Sequence, residues 1–177
     1  ERIGIVIIAG TIIGVFLEKT GAALTMAETV LKMVGPKLPA VAMSIIGYIT
    51  SIPVFCDSGF VILSALNKSL SKRSGVSMAV MATALSTGLY ATHTLVPPTP
   101  GPIAAANNLH ADLGTVIFVG LMVAIPVTIA GYLWATKFAS RYELLAESAV
   151  SYEELIEKFK SLPSATAAFT PLILPII

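Results

Sequence analysis

Residues 90–108 read YATHTLVPPTPGPIAAANN, and this stretch decides how the chain folds. Four prolines and one glycine fall within residues 97–102. No α-helix runs through such a cluster, because each proline removes an N–H donor and clashes with the preceding turn. Yet no Asp, Glu, Lys or Arg occurs between Ser74 and Ala111. In a membrane, a broken backbone is tolerated only where protein or water satisfies the freed polar groups, and secondary transporters build their binding sites at such breaks.

The composition indicates an integral membrane protein. The chain has 177 residues, of which 55% are hydrophobic and 12% charged, and its mean hydropathy is +0.86. A soluble domain carries about 25% charged residues, roughly twice this share. The formal net charge of +1 gives no reason to expect a nucleic-acid partner. Cys56 is the single cysteine, which excludes an intrachain disulfide and a cysteine-based metal cluster, and we predict neither a metal nor another cofactor.

The order of apolar runs and breaks predicts an all-α, polytopic membrane protein with a re-entrant hairpin and a proline-broken transmembrane helix. The predicted segments of residues 1–140 are a transmembrane helix at 1–17, an interfacial helix at 20–35, a re-entrant hairpin at 38–66, a loop at 67–74, a broken transmembrane helix at 76–108 and a transmembrane helix at 113–136. A cytoplasmic helical connector is predicted at 141–165, where Ser151 and Glu154 fit a capping box, and the next transmembrane segment is predicted to start within 166–177. Because the chain starts with Glu and ends inside an apolar run, we expect it to be part of a longer multi-pass protein.

The hairpin interpretation of residues 38–66 rests on a second break. Pro53 and Gly59 interrupt an apolar run whose only charged residue is Asp57. The part after Gly59 is too short to cross a bilayer, which needs about 20 residues. If both arms enter and leave on one side, nearly all lysines and arginines of the loops share that side, as the positive-inside rule expects of the cytoplasm. We therefore expect the hairpin tip, residues 52–59, to lie near the midplane.

The two breaks place two helix N-termini inside the membrane. One helix starts near Asp57 and the other after Thr99, where Pro100 suits the first turn of a helix. Each N-terminus carries about half a positive charge and several free N–H donors, which predicts a site for an anion, most simply a carboxylate. The hydroxyls of Ser58, Thr92, Thr94 and Thr99 add hydrogen-bond partners, which predicts that these four residues bind a polyhydroxylated substrate.

Asp57 is the main predicted proton-coupling residue. A charged group at the centre of a bilayer costs at least about 2.5–3.5 kcal/mol, so protonation of Asp57 is favoured there, and a bound carboxylate favours it further by repulsion. Protonation and anion binding then promote each other, which is the reciprocity that a proton symporter needs. His93, whose imidazole titrates near neutral pH, is the second candidate. The structural alternatives are a helix cap for Asp57 and a hydrogen-bonded core histidine for His93.

Two of these stretches resemble a known family. VFCDSGFVILSALNKSL at 54–70 and YATHTLVPPTPGPIAAA at 90–106 are similar, without interruption, to the gluconate permease family of bacterial proton symporters. That family includes carriers for gluconate, related sugar acids and D-serine. It belongs to an ion-transporter superfamily whose inverted repeats each hold a re-entrant hairpin and an unwound helix. The resemblance therefore implies that residues 1–140 form a polytopic helical transporter repeat, the N-terminal one, and that Gly59 at the hairpin tip and Gly101 in the second break also belong to the substrate-binding residues. The resemblance implies proton-coupled uptake of gluconate or a related small sugar acid across the bacterial inner membrane, with D-serine or another small carboxylate as the alternative substrate.

Two other classes of function stay open. An intramembrane enzyme needs a nucleophile or a metal set, and the sequence has no His-Glu-x-x-His and no Gly-x-Ser-x-Gly motif, although Asp57 and His93 offer acid–base chemistry. A channel also uses broken helices, but it usually shows charged rings or carbonyl filters, and the sequence shows neither. We therefore predict a carrier and no enzyme. Its predicted partners are the carboxylate substrate, protons and the lipid bilayer, and a homodimer is left open.

Overall fold

The computed structural model of the chain describes residues 2–35, 37–144, 157, 159 and 162–173. The helices there are α1 (Arg2–Lys19), α2 (Ala22–Val34), α3 (Pro39–Thr50), α4 (Cys56–Ser74), α5 (Met78–Leu95), α6 (Pro100–Asn108), α7 (Leu113–Lys137) and α8 (Ala165–Ile173), with one 3₁₀ turn at Ala139–Arg141. The described residues contain no strand. The predicted all-α class is therefore confirmed for this part of the chain.

Helices are interrupted at both of the proline-containing stretches. Residues 51–55 separate α3 from α4, and residues 96–99 separate α5 from α6. Helix α6 begins at Pro100, in the first-turn position where a missing N–H leaves no hydrogen bond unmade. The stretch thus divides one apolar segment into a long helix and a short one.

Helix α4 is longer than the second hairpin arm predicted from the sequence. It continues past residue 66 to Ser74, and Gly75 ends it in the left-handed conformation with φ of 71°. The loop predicted at 67–74 is therefore helical. The reason is a helical pattern of burial, because Leu70 and Ser71 face the core while Lys68 and the other basic residues are exposed.

Helix α2 lies where an interfacial helix is predicted, but its first half is enclosed by protein. Residues 22–27 are all buried, because α3, α4 and α8 pack around them. Only the C-terminal end, with Lys32 and Met33, is exposed. A helix that lies on a membrane surface has one apolar and one solvated face, so the amphipathic interpretation fits only the second half of α2.

Helices α3 and α5 make the closest crossing of the bundle, and glycines permit it. A Cβ atom on Gly47 of α3 would lie 2.6 Å from the carbonyl oxygen of Leu85 and 2.8 Å from the amide nitrogen of Leu89. Gly88 of α5 approaches the carbonyl of Ser44 in the same way. Small residues allow such backbone contact between membrane helices. Since the two breaks directly follow α3 and α5, this crossing fixes one break relative to the other.

A glycine of an uninterrupted helix also supports each break from behind. A Cβ atom on Gly14 of α1 would lie 2.7 Å from the carbonyl oxygen of Pro53 in the first break. Gly120 of α7 packs against the carbonyl of Leu95, the last residue of α5 before the second break. The backbone of each break is therefore held at a distance that no larger residue in α1 or α7 would allow.

Helix α7 has the length and composition of a membrane span. In the described part of the chain, one helical stretch, Leu113–Arg141, is long and apolar enough to cross a membrane. One side of it is exposed along its length, at Phe118, Met122, Ile125 and Ile129. The other side packs on α5.

Most of the predicted connector lies outside the described residues, including the capping box of Ser151 and Glu154. Two of its apolar residues, Phe159 and Leu162, are described and contact Gly21, which has a left-handed φ of 75°. Helix α8 follows within the stretch where the next transmembrane segment is predicted to start, and residues 174–177 are outside the description.

Candidate functional site

The two breaks face each other across a small cleft. Ile52, Pro53, Val54 and Phe55 of the first break line it together with Pro98 and Thr99 of the second. Its volume is about 10 Å³, which is room for about one water molecule. The structure therefore brings the two breaks together. The space between them is too small for a sugar acid to enter.

Two helix N-termini start at this cleft without a side-chain cap. Helix α4 begins at Cys56 and helix α6 at Pro100, and neither Phe55 nor Thr99 caps its helix through a side-chain hydrogen bond. Free backbone N–H groups at a helix N-terminus attract anions. Asp57 lies in the first turn of α4, where the helix dipole stabilises a carboxylate.

The Asp57 carboxylate belongs to a cluster of titratable side chains from α4 and α5. The Cys56 thiol donates a hydrogen bond to Asp57 Oδ1 across 3.7 Å. Tyr90 and His93 of α5, which packs on α4, join this pair through ring contacts. The His93 ring lies edge-on to Phe55, with the centroids 5.8 Å apart, and edge-on to Tyr90, with the centroids 6.5 Å apart. We call Cys56, Asp57, Tyr90 and His93 the Asp57 cluster.

Three of the predicted substrate-binding residues have structural contacts instead of open positions. The buried Thr92 hydroxyl donates to the carbonyl oxygen of Tyr48 at 2.9 Å, which ties α5 to α3. The buried Thr99 hydroxyl donates to the carbonyl oxygen of Val96 at 2.8 Å, within the second break. Gly59 is buried, and a Cβ atom there would lie 3.0 Å from a methyl group of Leu89. These contacts account for the three residues without a ligand.

The other predicted residues are accessible. Asp57, Thr94 and Gly101 are exposed, whereas Ser58 and His93 are half-buried. The Thr94 hydroxyl donates to the carbonyl oxygen of Tyr90, one turn earlier, at 2.7 Å. Gly101 has no atom within 4 Å of the position of a Cβ. The structure therefore brings Asp57, His93 and Thr94 to the same helix pair and leaves Gly101 apart in open space.

The sequence analysis did not single out Tyr90, Cys56 or Phe55 as site residues. Tyr90 is 54% exposed, and its ring lies edge-on to that of His93. The signal for it was present in the sequence, because residues three and four positions apart lie on one face of a helix and Tyr90 precedes His93 by three and Thr94 by four. Cys56 had no comparable signal, because which residues of α5 it faces depends on how α4 and α5 pack.

Buried polar atoms of three side chains have no hydrogen-bond partner among the described residues. They are the Thr50 hydroxyl, both polar atoms of the Asn67 amide, and Nδ1 of His93. Thr50 is the last residue of α3 before the first break and is fully buried. Two of the three groups thus belong to the region around the breaks, while Asn67 lies about three turns along α4.

Asp112 caps α7, at the outer boundary predicted for the last span of the repeat. The backbone N–H and the hydroxyl of Thr115 donate to Asp112 Oδ1 at 2.8 and 2.9 Å. These hydrogen bonds, the one from the backbone first, hold the pKa of Asp112 below its ordinary value, because they stabilise the ionised carboxylate.

Comparison with known proteins adds a family and several relatives. The family model described as "GntP family permease" matches residues 1–177. An uncharacterised permease of Haemophilus influenzae is 38% identical over 99% of the chain and 38% of its own length. A gluconate permease of Zymomonas mobilis is 36% identical over 97% of the chain and 39% of its length. The D-serine transporter DsdX of Escherichia coli is 32% identical over 94% of the chain and 38% of its length.

The chain therefore spans about two fifths of the length of these relatives. No solved structure matches it significantly.

Proposed function

Because the chain belongs to the GntP permease family, we propose that it carries out part of the proton-coupled uptake of gluconate or a related small sugar acid across the bacterial inner membrane. The main support for this proposal is the position of Asp57. Asp57 stands in the first turn of a helix that begins at a break, and Phe55, two residues before it, lies edge-on to His93 of the other broken segment, with the centroids 5.8 Å apart. The gluconate permease of Zymomonas mobilis and the D-serine transporter of Escherichia coli support a small acid as the substrate.

The proposed site attracts the substrate carboxylate toward the free N–H groups of α4 and α6 from outside the cleft, because the cleft itself is too small to admit a sugar acid. These two helix ends carry partial positive charge. Of the four side chains in the Asp57 cluster, only that of His93 becomes positively charged when it binds a proton. An ionised Asp57 in the first turn of α4 repels the substrate carboxylate, and a protonated Asp57 does not.

Proton binding and substrate binding are therefore coupled at one position. A proton on Asp57 raises the affinity for the anion, and by linkage the bound anion raises the affinity for the proton by the same factor. Release of both on the cytoplasmic side completes uptake. In this mechanism Thr92, Thr99 and Gly59 hold the two broken segments in place and do not contact the substrate.

The proposed membrane arrangement follows the sequence analysis. Helices α1, α5 with α6, and α7 cross the inner membrane, and α3 with α4 enters from the cytoplasmic side. Helix α7 gives the strongest support, since Leu113–Arg141 meets the requirements of a span. The basic residues at the ends of α4 and α7, among them Lys72, Arg73 and Lys137, then share the cytoplasmic side.

The test is uptake of labelled gluconate and D-serine into membrane vesicles that hold the whole transporter, with and without an imposed pH gradient. We expect uptake that saturates with substrate and requires the gradient. Asp57→Asn removes the titratable group and is expected to abolish concentration of the substrate. Asp112→Asn serves as the matched control, because Asp112 caps α7 away from the cluster, and it is expected to keep gradient-driven uptake.

Three results would contradict the proposal. Linear flux that does not saturate would indicate a channel. Uptake that does not depend on the gradient would remove the proton coupling, and an Asp57→Asn variant that still concentrates substrate would remove the role of Asp57.

A further inference from the structure

One face of α5 carries a row of hydroxyl-bearing side chains that starts at the Asp57 cluster. Thr94, Tyr90, Thr87 and Thr83 follow one another at intervals of four, three and four residues. This spacing places all four on one side of a helix. Tyr90 is the member of the row that belongs to the Asp57 cluster, through its edge-on ring contact with His93. The row therefore connects the proposed site with the N-terminal half of α5, which the proposed membrane arrangement directs toward the cytoplasm.

Two open grooves between α5 and the C-terminal half of α7 follow this row. The first has a volume of about 380 Å³ and includes Thr94, Tyr90, Thr87 and Trp134 in its lining. The second has a volume of about 540 Å³ and includes Thr83, Trp134 and Arg141. Both grooves are lined by Trp134, and we call the two together the α5–α7 groove. Pockets for small ligands occupy about 300–1,000 Å³, so this groove has the room that the cleft between the breaks lacks.

The lining of the α5–α7 groove suits a weakly held polyhydroxylated acid. The hydroxyls of Thr83, Thr87 and Thr94 each donate to the carbonyl oxygen four residues earlier, at 2.7, 2.9 and 2.7 Å. Their donor capacity is therefore used, and their lone pairs remain free to accept hydrogen bonds from the hydroxyls of a sugar acid. Such contacts guide a molecule without trapping it.

A positive charge and stacked aromatic side chains lie at the end of the groove that is farther from the Asp57 cluster. Arg141 stands at its far end, where its guanidinium lies 5.2 Å from the centroid of the Phe138 ring. The Phe138 ring stacks on Trp134, with centroids 4.2 Å apart. A fixed positive charge at this end attracts a carboxylate. Close contact between Gly131 of α7 and the Thr87 side chain forms the floor of the groove.

We propose that the α5–α7 groove forms one wall of the path by which the substrate passes from the Asp57 cluster to the cytoplasm. The proposal rests on the proposed function, since it assumes that a sugar acid is transported. It assigns roles to Thr83, Thr87, Trp134 and Arg141, which lie outside the binding site itself. It also makes Tyr90 the residue shared by the site and the path.

The experiment uses single cysteines in the whole transporter, in inside-out vesicles that expose the cytoplasmic face. Thr83→Cys and Thr87→Cys probe the groove. Ile125→Cys and Ile129→Cys are the matched controls, because these residues are about half exposed but lie on the opposite side of α7. A membrane-impermeant methanethiosulfonate reagent labels the vesicles, and the labelling rate is scored above that of the parent protein, whose Cys56 is buried.

We expect both groove variants to be labelled at least tenfold faster than the two controls, and saturating gluconate to slow their labelling at least threefold. Labelling of Thr87→Cys no faster than that of Ile129→Cys would overturn the proposal, because the groove would then be closed by lipid or protein. Fast labelling without protection by substrate would overturn it as well.

Uptake by the unlabelled parent, measured in the same vesicles, distinguishes a failure of the proposed path from a failure of the proposed function. If gradient-driven uptake is present and the labelling pattern fails, the path is wrong and the proposed function stands. If the parent takes up no sugar acid, both are wrong.

Discussion

Replacement of Gly47 by alanine tests whether the crossing of α3 and α5 sets the geometry of the breaks. The new methyl group would lie 2.6 Å from the carbonyl oxygen of Leu85 and 2.8 Å from the amide nitrogen of Leu89. Real Cβ contacts essentially never fall below 3.0 Å, so the two helices must separate by at least 0.4 Å (3.0 minus 2.6). Both obstacles are backbone atoms, and no side-chain rotation relieves them.

The expected loss of stability for Gly47→Ala follows from two opposing effects. Overpacking of a well-packed interface costs about 1–3 kcal/mol, and a backbone obstacle belongs at the upper end, near 3 kcal/mol. The higher helix propensity of alanine returns about 1 kcal/mol. We therefore expect a net destabilisation of about 2 kcal/mol, together with reduced uptake, because the methyl group pushes the first break away from the second.

Gly4→Ala is the matched control, since no atom lies within 4 Å of the position of its Cβ and only the gain in propensity remains. The free energy of unfolding is measured for the purified transporter in detergent micelles, and uptake is measured in vesicles. The two variants are expected to differ by about 3 kcal/mol, the sum of about 2 kcal/mol lost and about 1 kcal/mol gained. Equal stability of the two variants would show that the crossing yields easily, and our explanation of the fixed breaks would then be wrong.

Three further substitutions test individual contacts by thermal unfolding in detergent. Thr92→Val removes the buried hydrogen bond to the Tyr48 carbonyl, and we expect the free energy of unfolding to fall by about 0.5–1.5 kcal/mol. The KM of uptake should not rise, and a large rise in KM would instead place Thr92 in the binding site. Asn67→Leu replaces a buried amide that has no partner among the described residues, so we expect stability to rise by about 1–3 kcal/mol, whereas a loss would reveal a partner for the amide. Asp112→Asn should destabilise the protein at neutral pH. The pKa of Asp112 is lowered in the folded state, so the ionised carboxylate stabilises the fold at pH values above its ordinary pKa. This contribution is lost as the pH falls through the pKa of the folded state. The difference between wild type and Asp112→Asn should therefore shrink on acidification, and a difference that stays constant down to pH 3 would contradict the role of the Thr115 hydrogen bonds.

The breaks could be predicted from the sequence because proline acts locally. Pro53 and the prolines of residues 97–102 remove N–H donors wherever the chain goes. A single proline is accommodated inside α7 at Pro126, but four prolines within six residues leave no continuous helical hydrogen bonding. The start of α6 at Pro100 follows from the same property. The extent of α4 could not be read in this way, because residues 67–74 are as polar as a loop and become helical through contacts of Leu70 and Ser71 with the core.

The roles of individual hydroxyl groups were less predictable for a related reason. Thr92, Thr94 and Thr99 look alike in the sequence, but Thr92 faces Tyr48 of α3 while Thr94 is exposed on the other side of α5. The difference depends on which face of α5 packs on α3. Glycine positions decide that face, because Gly88 must meet the backbone of α3. Thr92 is four residues after Gly88 and therefore lies on the same face of α5, whereas Thr94 does not. The position of Gly88 thus distinguishes the two threonines already in the sequence.

The exposed surface of the described residues contains two kinds of face, and only one of them suits lipid. Ile5, Ile8 and Ile12 of α1 and the Ile125 side of α7 are apolar and exposed, so contact with lipid costs them nothing. The Asp57 face is different, since a charged group in lipid costs at least about 2.5–3.5 kcal/mol. Under the proposed function this face therefore meets water or protein.

The volumes at the site lead to the same conclusion about this face. The cleft between the breaks has room for about one water molecule, while the α5–α7 groove is open on one side and sugar-acid-sized. Under the proposed function, the described helices supply one wall of a site and one wall of a path. The opposite walls would come from other polypeptide, and the relatives, of which the chain spans 38 to 39%, have additional length. We therefore expect the Asp57 face to be where the rest of the transporter packs, with the substrate held between the two parts.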